Sequence, residues 1–187
     1  MIGTSVPGAK VLDRRVRGIR DELQAKLPGV TVQGPFDTKT SAQPNLASWQ
    51  TLTAVNKTAL AFLGTGEVDG PNLAQIRRAT KARWVAGAFD LPPKSLAAVK
   101  SGDLVLVSPE HFLKGEVAGR LQAQHAKDGE PLPEGWLYIP GLAVNSTNID
   151  SIMARQANAE STAKAVASQL DTILGDKSYL RKMSSSR

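Results

Sequence analysis

The sequence predicts an α/β fold built on a doubly wound parallel sheet, and three observations carry that expectation. Strand-like apolar runs and helix-period segments alternate four times before residue 108. The connections between them are short and rich in Gly and Pro, as right-handed βαβ units require. Residues 82–90, Ala-Arg-Trp-Val-Ala-Gly-Ala-Phe-Asp, read as a strand covered on both faces that ends in one acidic side chain before Leu91-Pro92-Pro93. Ligands in open α/β sheets sit beyond the carboxyl ends of the strands, so Asp90 is the first candidate for recognition. A helix N-cap or turn carboxylate is the competing reading of the same residue.

In chain order, Gly3-Thr4-Ser5-Val6-Pro7-Gly8 reads as a loop, preceded by a strand that is cut short. Leu12, Val16, Ile19, Leu23 and Leu27 then mark one face of a helix that Pro28-Gly29 ends. Val30-Thr31-Val32-Gln33 alternates as a strand, and a helix with Leu46, Trp49 and Leu52 inward follows. Ala59–Leu63 is the next strand, with a helix around Leu73 and Ile76 leading to the 82–90 strand. A helix near Ser95–Lys100 and a strand at Leu104–Val107 complete the alternation. Pro109 opens a long helix to about Lys127 with a stripe of Phe112, Leu113, Val117 and Leu121, and Asp128-Gly129-Glu130-Pro131 stops it. Trp136–Ile139 is a further strand. An alanine-rich helix reaching about Leu174 has too little apolar content for a core and is expected at the surface, and residues 184–187 are expected to fray.

Composition narrows the function. The 187 residues are 41% hydrophobic and carry a net charge of +6, yet the basic residues are scattered, without aromatic interleaving or a helix-turn-helix pattern, so nucleic acid is not an expected partner. The absence of cysteine removes disulfides, thiolate metal sites and a cysteine nucleophile. His111 and His125 share one helix at a spacing that does not stack them, so no metal site is expected. No Ser/His/Asp order or paired carboxylates emerge, so no catalytic residues are assigned and the chain reads as a non-enzyme without a cofactor. Gly64-Thr65-Gly66 follows a strand and precedes a helix, but the third glycine of a dinucleotide fingerprint would fall on Asp69. The same loop suits backbone amides and a hydroxyl meeting a polar ligand. Arg14, Arg15 and Arg17 near a helix start read as solvated surface on spacing alone.

Residues 15–19 with 27–30, residues 64–67, residues 86–93 and residues 108–115, taken in that order, resemble the C-terminal part of a type I periplasmic sugar-binding protein, the substrate-binding component of an ABC importer. Arg15-Val16-Arg17-Gly18-Ile19 with Leu27-Pro28-Gly29-Val30 is similar to the family's Arg-x-x-Gly-Phe helix and Pro-Gly-Ile/Val strand start. Gly64-Thr65-Gly66-Glu67 resembles the Gly-Thr-Gly-Asp of one branch, and residues 86–93 resemble Val-Gly-Phe-Asp-Leu-Ser-Pro with one extra residue. Ser108–Gly115 stands where the family has Asp-Gln-Gln-Pro-Tyr-Leu-Gln-Gly. The resemblance runs over roughly residues 3–155 and implies that Arg15 and Asp90 contact ligand hydroxyls, with Thr65, Glu67 and Ser108 in the same site. Pro109 replaces a ligand-bonding glutamine, and Asp37-Thr38-Lys39-Thr40 lacks the aromatic that stacks on a sugar face, so either a different ligand or decayed binding is implied.

The resemblance covers one lobe of a two-lobed fold, with the N-terminal lobe missing. It divides the chain into a C-terminal-lobe sheet at 1–107, a hinge crossing and helix at 108–134, a returning strand and hinge segment at 135–157, and a C-terminal helix and tail at 158–187. On this reading the 109–127 helix would expose its stripe, giving self-association or a partner chain. ABC transporter membrane subunits would be the family's partners. Family members are periplasmic or extracellular, whereas this sequence shows no signal peptide, which leaves the cytoplasm open. A lactose-repressor-type effector domain is the alternative on the same fold, and a Rossmann-like enzyme rests only on the glycine pair.

Overall fold

The computed structural model describes residues 1–185. In chain order the elements are β1 (Ile2–Thr4), α1 (Lys10–Lys26), β2 (Phe36–Asp37), α2 (Ala42–Val55), β3 (Ala61–Gly64), α3 (Asp69–Thr80), β4 (Val85–Phe89) and α4 (Pro93–Lys100). There follow β5 (Val105–Ser108), α5 (His111–Asp128), β6 (Trp136–Leu137), β7 (Leu142–Val144), α6 (Ile149–Arg155), α7 (Ala159–Gly175) and β8 (Leu180–Arg181). The chain forms two compact units: residues 1–108 with 143–149, and residues 109–142 with those from 150 on.

The first unit carries the sheet, in strand order β2-β1-β3-β4-β5-β7, with parallel pairing from β2 through β5. The chain steps outward from β1 to β2, then returns past β1 to β3 and continues through β4 to β5. Right-handed crossovers therefore put α1 on one face and α2, α3 and α4 on the other, and the order reverses between β1 and β3. The sequence fits this arrangement closely where backbone meets helix: a Cβ on Gly3 would lie 2.5 Å from Thr38 and Trp49 side-chain atoms. Ile2, Trp49, Phe62 and Leu73 are fully buried, and the rings of Trp49 and Phe62 meet edge to face at 6.3 Å. On the other face α1 buries Leu12 and Val16.

Residues 30–33 form no strand: Pro35 has no N–H to give a ladder and Gly34 sits at φ +107°, so pairing starts only at Phe36. A single bond, from the amide of Ile2 to the carbonyl of Gln33 (2.9 Å), is what the alternation there amounts to. The 82–90 strand begins at Val85, and it is not covered throughout on both faces: Val85 is 52% exposed. The same face stays open on β5, where Val105 and Val107 are 44% and 36% exposed while Leu106 is buried. Topology explains this, because α1 is the one crossover helix on that face and it lies over β1.

The second unit has a core of its own. Leu113 and Val117 of α5 and Val166, Leu170 and Ile173 of α7 are buried together with Ile139, and Leu121 packs against them half-buried. This overturns two expectations: the α5 stripe is covered except for Phe112, which is 55% exposed, and the alanine-rich helix is a core element rather than a surface one. Its low apolar content misled because Val166, Leu170 and Ile173 repeat at four and three residues and so share one face. Trp136–Leu137 is a strand, pairing antiparallel with Leu180–Arg181, and it stops short of Ile139. Glu110 and Arg155 form a bidentate pair at 3.0 Å with both side chains largely buried. Of the residues expected to fray, Ser184 and Ser185 lie in a 3-10 turn and the rest fall outside the described residues.

Candidate functional site

Arg15, Thr65 and Asp90 meet at the carboxyl ends of the strands, beside the point where the strand order reverses, the place where open α/β sheets form a ligand crevice. Asp90 follows β4 in the left-handed backbone region, φ +68°, with its amide donating to the carbonyl of Val107 at 3.0 Å. Asp is one of the few residues that visit this region readily. The N-cap of α4 is Pro92, so the capping reading of Asp90 does not hold. Arg15, in the second turn of α1, donates from one nitrogen, Nη1, to the carbonyl of Thr65 (2.7 Å) and to Oδ2 of Asp90 (3.1 Å). Its guanidinium also lies 4.5 Å from the ring centroid of Phe89. The two side chains keep 11% and 21% of their surface in solvent, enough to meet a ligand while their geometry is already fixed.

The other predicted residues fall differently. Thr65 is fully buried, so it joins this group through its carbonyl and not its hydroxyl. Glu67 is exposed on the loop before α3, and Ser108 ends β5 at 5% exposure. Arg14 and Arg17 are solvated, as spacing suggests. The loop after β2 is ordered by charge: the side chain and amide of Lys39 both donate to Asp37, holding that carboxyl below the usual carboxylate range.

Beneath the crevice is a residue that sequence reasoning passed over as a displaced glycine. Asp69 is 0% exposed. Its Oδ1 accepts from the hydroxyl of Thr38 (2.9 Å), the amide of Asn45 (2.7 Å) and the indole N–H of Trp49 (2.8 Å), and its Oδ2 accepts from the backbone of Gly66 (2.7 Å). Asn45 bonds on to the carbonyl of Lys39 and accepts from Asn72. The available signal was an acidic residue in the first turn of a helix three places after a glycine, a spacing at which a carboxylate reaches back to a backbone amide.

Among the described residues no group of three or more His, Asp or Glu could hold a metal ion, and no helix is long and apolar enough to cross a membrane. The chemistry on offer is hydrogen bonding: a guanidinium that donates, a carboxylate that accepts, and an aromatic ring over which the guanidinium sits.

No family model matches the chain, and no curated protein matches it significantly. Solved structures do. An ABC transporter solute-binding protein from Burkholderia graminis, in complex with D-arabinose, superposes with a TM-score of 0.71 at 24% identity over 80% of this chain and 53% of its own. A carbohydrate transporter solute-binding protein from Agrobacterium radiobacter, also with D-arabinose, gives 0.70 at 23% identity, covering 81% and 52%. An arabinose-binding protein from Geobacillus stearothermophilus gives 0.71 at 16% identity, covering 80% and 55%. The chain thus spans about half the length of the structures it matches. At these identities the likeness establishes the fold, that of one lobe of a type I periplasmic binding protein.

Proposed function

We propose that this chain is a sugar-recognition half of an ABC-importer solute-binding protein, in which Arg15 and Asp90 hydrogen-bond the hydroxyls of a small polyhydroxylated ligand. The observation that carries the reading is the Arg15–Asp90 pair at 3.1 Å, held at the strand ends beside the order reversal. A sugar hydroxyl both donates and accepts, so a fixed donor next to a fixed acceptor can bind vicinal hydroxyls with complementary polarity. Phe89 supports Arg15 from one side and leaves the guanidinium edge for the ligand. Glu67 is placed in this reading at the rim, and Thr65 acts through Arg15. The solved structures that share the fold include D-arabinose complexes, which supports a pentose as the first ligand to try. Membrane subunits of an importer and an extracytoplasmic location belong to the same proposal. No chemical step is part of it.

A two-walled cleft gains affinity when both walls close on the ligand and exclude water. The wall formed by the first unit alone supplies part of the contacts, so the expected dissociation constant for this chain is about 1 mM or weaker. Saturation-transfer NMR with D-arabinose, D-ribose, D-galactose and a nucleotide control tests the idea. A pentose signal that Arg15→Leu abolishes supports it. A nucleotide signal, or sugar contacts unchanged by Arg15→Leu, overturns it.

A further inference from the structure

We infer that Asp69 is the positioning residue of the crevice, a fully buried carboxylate that sets two of its loops and, through Gly66 and Thr65, aims Arg15 at Asp90. Its consequence for sugar affinity rests on the function proposed above, but its geometry does not.

The carboxylate has no exposed surface, and all four groups donating to it are neutral. Burying a charge is unfavourable even when it is hydrogen-bonded, and an apolar residue here would leave four donors without their acceptor. The division of labour between the two oxygens explains the charge. Oδ1 gathers Thr38, Asn45 and Trp49, which fixes the loop after β2 and docks α2. Oδ2 takes the amide of Gly66, one residue beyond the carbonyl that receives Arg15. Only a carboxylate accepts on both sides: an asparagine could serve the three donors at Oδ1, but its NH2 would then face the N–H of Gly66. There is no slack to absorb that clash. A Cβ on Gly64 would lie 2.6 Å from Cγ of Asp69, and one on Gly66 would collide with the Ser5 hydroxyl. Displacing the Gly66 amide therefore moves the Thr65 carbonyl, and with it one of the two acceptors that hold Arg15.

The prediction separates the two oxygens. In 15N-labelled full chain, the Gly66 amide exchanges slowly although it lies in a loop, because its acceptor is buried. In Asp69→Asn that exchange accelerates at least about ten-fold and the Arg15 guanidinium resonances shift, while the Trp49 indole N–H, whose acceptor is retained, keeps its position. In Thr38→Val, which removes one donor from Oδ1 only, Gly66 and Arg15 are unchanged. D-Arabinose affinity follows the same split, falling about ten-fold in Asp69→Asn and little in Thr38→Val. The inference is overturned if Gly66 exchanges freely in the wild type, a reading that stands even where Asp69→Asn fails to fold. It is equally overturned if Thr38→Val disturbs Arg15 as much as Asp69→Asn does, which would make Asp69 structural only. A wild type that shows the amide pattern but binds no sugar supports the positioning role and removes the sugar reading.

Discussion

Asp90 can be tested apart from the backbone it stands on. Asparagine also tolerates the left-handed region, so Asp90→Asn should leave the backbone unstrained, cost about 1–3 kcal/mol for the charged bond to Arg15, and weaken sugar binding. A β-branched residue is disfavoured at φ +68°, so Asp90→Val should cost roughly 1–2 kcal/mol in addition; chemical denaturation of both variants measures the difference. Asp103 gives a second residue-scale expectation. Burial would raise its carboxyl, but hydrogen bonds from Arg78 and Ser101 and the charges of Arg78 and Arg77 prevail and hold it below the usual 3.8. A carboxyl lowered in the folded state contributes stability that is present above its unfolded value and lost as pH falls through the folded one. Denaturation midpoints of wild type and Asp103→Asn should therefore differ above about pH 4, draw together as pH falls below it, and converge only beneath the lowered folded value. Asp90 and Arg15 were legible as residues because motif order and strand position pointed to them. The bond through the Thr65 carbonyl was not, since a main-chain acceptor leaves no trace in side-chain identity.

Strand β5 shows how topology overrides a run of apolar residues. Val105, Leu106 and Val107 look alike in sequence, yet only Leu106 is buried, because the crossover order sends three helices to its face, while α1, on the other, lies over β1 and not β5. Leu106→Ala should cost about 2–5 kcal/mol, whereas Val105→Thr and Val107→Thr should each cost less than about 1 kcal/mol, by thermal or urea unfolding. The α/β alternation was readable because period-two and period-3.6 segments are separated by Gly and Pro. The 30–33 segment was not, because alternation marks only a face, and the ladder was decided by Gly34 and Pro35 after it. In α7 mean composition hid a narrow apolar stripe. Leu170→Ala, at 3% exposure, should destabilise the second unit by about 2–5 kcal/mol and release α5 amides to exchange ahead of those in β3 and β4.

At the scale of the whole chain, the fold places a donor, an acceptor and a supporting ring at the strand ends of the first unit, while the second unit is closed by its own α5–α7 core. The function proposed above requires the crevice at Arg15 and Asp90 to take a sugar. The most direct measurement is a residue-resolved NMR titration of the chain with D-arabinose, run beside Asp90→Asn. The predicted result is a set of saturable shifts confined to Arg15, Thr65, Gly66, Glu67 and Asp90, absent in the variant. Shifts that centre on the open β4–β5 face or on the second unit, or that persist undiminished in Asp90→Asn, would contradict it.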